Sequence, residues 1–341
     1  MLKNKNRLVA AIICLCLSNA NTAFGRDVGV VLSKIDDSAQ PAVTQNKNAV
    51  AKFEQGTNLY KQGDLKGAEA AFRKAIELEP NFVQAYIGLA NTLDEQGKPQ
   101  EAIAIYKKAI SLDPKDSVVY FNLGLTLAKL NQLEAAIAQY KKALSLEPNY
   151  ADALYYLANV LYAQQKPAEA VAEYTAAIRL NPKNPVAYNA LGNALYAQGK
   201  LEEAIAHYKK AISFAPSYAD AHYNLASAFY AQGKLTEAIA DYTEAIRLDP
   251  KHAQAYAGLG NAMDDQGKPQ EAIAHYKKAI SLVPNDALTY YNLGITLGRE
   301  QQPEEAIVNL KKARELFQSD ENKEMVEQVD QLIQKINTRR N

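Results

Sequence analysis

Residues 185–218 read PVAYNALGNALYAQGKLEEAIAHYKKAISFAPSY, and close copies stand upstream and downstream of them at a step of 34 residues. The prolines at 80, 114, 148, 182, 216, 250 and 284 keep the same step. A fixed period of this length marks stacked supersecondary pieces, each too small to bury its apolar face without neighbours. Numbering the quoted stretch from 1 puts Tyr188, Leu191, Gly192 and Leu195 at positions 4, 7, 8 and 11. That spacing is one face of a helix, here helix A. Ala204, Tyr208, Ala211, Ile212 and Phe214 fall at positions 20, 24, 27, 28 and 30, the matching face of a helix B.

Eight repeats follow from this register: 49–82, 83–116, 117–150, 151–184, 185–218, 219–252, 253–286 and a degenerate 287–320. Position 20 is alanine in all eight, position 27 likewise, and position 8 is always Gly or Ala. Small side chains there let two helix backbones approach closely, while large residues at 4, 11 and 24 fill the surrounding space. The pattern at positions 4, 7, 8, 11, 20, 24, 27 and 32 resembles the tetratricopeptide repeat. The resemblance implies an all-α, right-handed superhelical solenoid of eight helix-turn-helix repeats. The family's frequent tryptophan is absent, since the chain has no Trp.

Proline and glycine placement supports the same register. Besides the seven prolines at position 32, Pro99, Pro167, Pro269 and Pro303 share position 17 and Pro185 opens a helix A. A first-turn residue has no intrahelical N–H bond to lose, and a proline beyond the last turn stops propagation. Gly63, Gly97, Gly199, Gly233 and Gly267 share position 15, where a left-handed residue ends helix A.

The chain opens MLKNKNRLVAAIICLCLSNANTAFG: three basic residues, an apolar run from Leu8 to Leu17, then small and polar residues. Residues 1–25 therefore read as a secretory signal peptide, cut after Gly25 or, as the alternative, after Ala20. The apolar run is shorter than the roughly 20 residues of a membrane-spanning helix, so no stable span is expected after cleavage. Export follows, to a periplasm or a comparable lumenal or extracellular compartment. Cys14 and Cys16 both lie in this segment, which leaves a mature chain without a disulfide framework. Residues 26–48 show no helical period and read as a linker.

At the other end, Met325, Val326, Val329, Leu332, Ile333 and Ile336 form one apolar stripe on an otherwise charged helix predicted over 321–338. It reads as a capping helix over the face that the last hairpin would otherwise expose. Lys+Arg and Asp+Glu both number 38, a balance that argues against general nucleic-acid binding. The lysine pairs such as Lys209-Lys210 come late in helix B and acidic pairs such as Glu202-Glu203 open it. The helix dipole favours this order on a solvated face.

Catalytic chemistry has no constellation here, and no cofactor or metal is expected. The four histidines are His207, His222, His252 and His275; His207 and His275 share position 23 two repeats apart, and His222 takes the core slot at position 4. The Gly-Lys pairs lack the rest of a phosphate loop. The chain reads as a non-enzyme.

What remains is surface. A second stripe on helix A, positions 2, 5, 9 and 12, is expected to face away from helix B and, by the family resemblance, to line the concave side of the solenoid. It carries Tyr155, Asn159 and Tyr162, then Asn189, Asn193 and Tyr196, then Tyr223 and Tyr230, with Asn224 beside them. Tyrosine gives amphipathic contact area at low entropic cost, and asparagine both donates and accepts, which suits a peptide backbone. Positions 2, 5, 6 and 9 hold no basic residue, while Asp94, Asp152, Asp220 and Asp264 lie on the stripe. A neutral or basic polypeptide segment is the expected partner. The leading reading is a non-catalytic scaffold or adaptor; the alternative is a structural protein that self-associates through its terminal repeats.

Overall fold

The computed structural model describes residues 46–340, so the expected signal peptide over 1–25 and most of the expected 26–48 linker lie outside the described residues. Among these residues the chain forms seventeen α-helices and no strand. The first repeats supply α1 (Lys47–Lys61), α2 (Leu65–Leu78), α3 (Val83–Glu95), α4 (Pro99–Leu112), α5 (Ser117–Lys129) and α6 (Leu133–Leu146). Next come α7 (Ala151–Ala163), α8 (Pro167–Leu180), α9 (Pro185–Ala197), α10 (Leu201–Phe214), α11 (Ala219–Ala231) and α12 (Leu235–Leu248). The chain ends with α13 (Ala253–Asp265), α14 (Pro269–Leu282), α15 (Ala287–Arg299), α16 (Pro303–Ser319) and α17 (Lys323–Arg340). Odd-numbered helices up to α15 are A helices, and even-numbered ones are their B partners. The first helix begins two residues before the expected boundary, because Asn46 caps it: its side chain accepts from Asn48 N and donates to Leu78 O. The capping helix likewise runs two residues past its expected end.

The chain divides into two compact bodies, one ending at Ala187 and the other beginning at Tyr188. In each, the buried layer is the face read from the sequence. The position-20 alanines, from Ala68 to Ala306, are all fully buried. The large residue at position 24 is the knob of every hairpin: Phe72, Tyr106, Tyr140 and Tyr174 in the first body, Tyr208, Tyr242, Tyr276 and Leu310 in the second, all buried. In repeats 1, 3, 5, 7 and 8 it rests on the glycine at position 8. A Cβ at Gly124 would fall 2.6 Å from the Tyr140 ring, and one at Gly192 would fall 2.4 Å from the Tyr208 ring. At Gly124 and Gly192 the bare Cα answers to this contact and not to backbone angle, while repeats 2, 4 and 6 carry alanine at the same position.

Backbone angle matters at position 15. The five glycines there have φ between 73° and 84°, and Asn131, Gln165 and Gln301 adopt the same left-handed conformation in the other repeats. Lys98 N reaches back to Leu93 O and Gly97 N to Asp94 O, the paired bonds that close a helix C-terminus. Pro99, Pro167, Pro269 and Pro303 open B helices as expected.

The last hairpin is covered as its stripe implied. Val329 is fully buried against Leu310, Ala313 and Phe317, with Met325, Val326, Leu332, Ile333 and Ile336 packed around them. Arg314 stands where most repeats have an apolar residue, and its Nε donates to Asp330 of α17 at 2.6 Å. The irregularity of the eighth repeat is thus a contact to its cap.

Candidate functional site

The stripe at positions 5, 9 and 12 does not simply face away from helix B, and this corrects the sequence reading. In the first body Tyr155 is buried, with its ring 5.8 Å from that of Tyr174 on α8 and 5.3 Å from that of Tyr156. The Tyr174 hydroxyl donates to Asn159 Oδ1 at 2.6 Å. In the second body the Tyr208 hydroxyl donates to Asn193 Oδ1 at 2.8 Å, and Tyr276 to Asn261 at 2.8 Å. Asparagine at position 9 therefore satisfies the hydroxyl of the buried position-24 knob of its own repeat. A buried phenol without an acceptor costs more than the bond itself is worth, which is why the two residue types travel together. Repeat 6 uses Ser227 for the same purpose, 3.1 Å from the Tyr242 hydroxyl.

Repeat 3 breaks the pairing. Position 9 is Leu125, and the buried Tyr140 hydroxyl has no hydrogen-bond partner. Tyr140→Phe should leave stability unchanged or raise it by up to about 1 kcal/mol, whereas Tyr174→Phe should lower it by about 1 kcal/mol. Urea midpoints of the two variants give the comparison, and equal shifts would show that Asn159 is not serving its neighbour.

Asn189 and Asn224 are also committed. Asn224 Nδ2 donates to Asn189 Oδ1 at 3.0 Å, linking two A helices of the second body, and Asn189 Nδ2 lies 3.4 Å from the Tyr218 hydroxyl. Tyr223 is half-buried, its ring 4.9 Å from His252 and 5.9 Å from Tyr242. Of the predicted residues, Tyr196 stands most open at 38% exposure, while Tyr162 and Tyr230 are half-buried. The Tyr230 hydroxyl donates to Asp265, and its pKa is pushed up to about 12 by burial and by that carboxylate.

Position 13, which the sequence reading passed over, supplies basic groups. Lys129 Nζ sits 2.6 Å from Asp94 Oδ2 in the first body, and Arg299 pairs with Asp264 in the second. Each pair joins position 12 of one repeat to position 13 of the next. The signal was present in the chain: Asp94 and Asp264 are the position-12 acids, and Lys129 and Arg299 follow each by 35 residues. Around repeats 6 to 8, Asp220, Asp264 and Asp265 still outnumber the Arg299 guanidinium. His252 Nε2 lies 3.3 Å from Asp220 Oδ1. The lysines of the B helices are solvated but not idle, since Lys209 Nζ lies 5.4 Å from the centre of the Phe229 ring and Lys210 Nζ 4.8 Å from that of Phe214.

Among the described residues no group of three or more His, Cys, Asp or Glu side chains could hold a metal ion. No described helix is long and apolar enough to cross a membrane.

A family model described as the tetratricopeptide repeat matches residues 53–117, 121–185 and 223–287, more than half of the chain. Two further models of the same repeat match 192–233, and 173–206 with 275–308. The chain belongs to the tetratricopeptide repeat family. Solved structures of the same architecture include a tetratricopeptide repeat protein from Parabacteroides merdae ATCC 43184, 23% identical, with a TM-score of 0.56 over 74% of this chain and 100% of that one. PilF of Pseudomonas aeruginosa is 21% identical, with a TM-score of 0.57 over 66% of this chain and 99% of that one. A chain of the APC/C hetero-tetramer Cut9-Hcn1 is 18% identical, with a TM-score of 0.59 over 87% of this chain and 59% of that one. At these identities the likeness is one of fold. No curated protein matches the sequence. Tetratricopeptide repeat proteins are protein-interaction scaffolds and as a family are generally non-catalytic.

Proposed function

We propose that this protein is a non-catalytic adaptor that captures a polypeptide segment on its A helices, in the concave groove that tetratricopeptide repeats form. The observation that carries this reading is Tyr196, a large aromatic side chain 38% exposed on α9, whereas Leu191, Ala194 and Leu195 beside it are buried. An amphipathic ring held on a rigid helix is the kind of anchor that carries interface energy. The excess of carboxylates among Asp220, Asp264, Asp265 and Arg299 supports a neutral or basic segment as the partner. In the first body, Tyr162 offers an aromatic group of its own, and Lys129 faces two carboxylates, Asp94 at 2.6 Å and Glu95 at 3.6 Å.

The asparagines drop out of the test, because Asn159 and Asn193 hold buried hydroxyls. Tyr196→Ala and Tyr230→Ala combined, in the full chain used as bait against the exported fraction of the source cells, should lower capture of partner polypeptides at least tenfold. Capture should weaken further as salt rises, while Val308→Ala on helix B leaves it intact. Unchanged capture by the double variant would overturn the groove reading.

A second reading has one observation in its favour: Leu288 and Val308 of the last repeat are 57% and 67% exposed. Self-association through the terminal repeat would cover them, and light scattering across a concentration series would show it as a rising mass. For localisation, the amino-terminal residues support export to a periplasm-like compartment, and N-terminal sequencing of the mature chain should start near Arg26.

A further inference from the structure

Position 4 of helix A is tyrosine in repeats 2, 3, 5, 7 and 8. The Tyr86 and Tyr120 hydroxyls donate to the carbonyl oxygens of Pro80 and Pro114, at 3.0 Å and 3.3 Å, and so pin the first turn of helix A to the preceding loop. Repeat 6 has His222 at this position, only 9% exposed. Its Nε2 lies 3.2 Å from the Pro216 carbonyl oxygen, taking over the tyrosine's contact. Its Nδ1 lies 2.9 Å from Asp241 Oδ1, a contact that a tyrosine hydroxyl has no second donor to make. A carbonyl oxygen only accepts, and so does an ionised carboxylate. Both ring nitrogens must therefore donate, and only the imidazolium has two N–H groups. The charged groups facing the ring are Asp241 and Glu244 of α12, and Glu244 is itself paired with Arg247 at 2.6 Å. The Asp241 hydrogen bond raises the pKa of His222 above the ordinary histidine value, against the opposing effect of burial.

The neighbouring repeats show what this contact looks like without the carboxylate. Positions 4 and 23 hold Tyr188 and His207 in repeat 5, with ring centroids 6.0 Å apart, and Tyr256 and His275 in repeat 7, 6.2 Å apart. Burial lowers the pKa of both of those histidines. Three successive repeats thus place a histidine at one contact, and the one facing Asp241 is favoured charged while the other two are favoured neutral.

We propose that His222 is a positively charged clasp that fastens the first turn of α11 to α12 and to the loop at Pro216, and that it opens as the pH rises. The clasp stands on its own geometry. Its consequence for partner capture rests on the groove reading above, because Tyr223 and Asn224 are carried on the same turn. The sign follows from linkage: a pKa raised on folding gives stability that is complete below the unfolded value of about 6.5 and is lost as the pH climbs through the folded value. His207 and His275 act in the opposite sense. Their contribution is complete above about pH 6.5 and is lost as the pH falls.

The test uses the full chain with labelled histidine, followed by NMR, together with amide exchange over residues 222–226. At about pH 6.5 both ring nitrogens of His222 should carry protons, with a titration midpoint above those of His207 and His275. Protection of the amides, corrected for intrinsic exchange, should fall about tenfold toward pH 9, the loss expected for one charge-assisted hydrogen bond. His222→Tyr should keep the bond to Pro216 and abolish that pH dependence; Asp241→Asn should lower the His222 midpoint. A neutral His222 at pH 6.5, or the same pH dependence in His222→Tyr, would overturn the proposal. None of these readouts needs a partner, so failure of the clasp and failure of the groove reading are seen separately.

Discussion

Replacing Tyr208 with alanine is expected to destabilise the protein by about 3–5 kcal/mol, the range for removing a large ring from a packed core. Tyr208 is 1% exposed, and its ring sits in the notch that Gly192 leaves on the facing helix. Nothing short of local rearrangement can refill that space, because the residue it faces has no side chain with which to follow it. The loss also strips Asn193 of the hydroxyl that its Oδ1 accepts. In a solenoid whose stability is roughly a sum of repeat and neighbour-interface contributions, the damage should appear first in repeat 5 and its contacts. Urea unfolding followed by far-UV circular dichroism measures it. A cost below about 1 kcal/mol would mean that the knob-and-notch contact does not hold the hairpin together.

Ala204→Leu attacks the same hairpin from the opposite direction. Ala204 is fully buried at the close approach of helices A and B. The tightness of that approach is visible in repeat 8, where a Cβ at Gly294 would come within 3.2 Å of the Ala306 carbonyl oxygen. Three extra carbons at position 20 must push the helices apart, at a cost of about 1–3 kcal/mol. Lys209→Ala, which removes an exposed ammonium over the Phe229 ring, should cost less than about 1 kcal/mol. Equal midpoints for the two variants would refute the register on which every position in the repeat depends.

The fold was legible because its determinants are local and repeated eight times over. Alanine at positions 20 and 27, the small residue at position 8 and the proline at position 32 each report a backbone approach or a helix end that no other residue type satisfies as well. The site was less legible, for a reason that particular residues make plain. Asn159 and Asn193 suit a peptide backbone by their chemistry, but the same chemistry suits the buried hydroxyls of Tyr174 and Tyr208, and the hydroxyl was the nearer claimant. That pairing crosses from helix A to helix B over fifteen residues, so a reading that treats each helix face alone does not see it. Within the chain the clue was co-occurrence. Repeats 1 and 8, which lack a tyrosine at position 24, also lack asparagine at position 9, carrying Thr57 and Ile295. The basic residues at position 13 were missed in the same way, since Lys129 and Arg299 become neighbours of Asp94 and Asp264 only once adjacent A helices are laid side by side.

The central claim, that partner polypeptides lie along the A helices, is tested most directly by photo-crosslinking in the source cells with benzoylphenylalanine in place of Tyr196 and, as the comparison, in place of Lys278, an exposed helix B residue. A groove-binding scaffold yields a discrete crosslinked polypeptide at position 196, absent at 278 and reduced when Tyr230 is replaced by alanine. Crosslinks of equal strength at both positions, or a product at 278 alone, would contradict it.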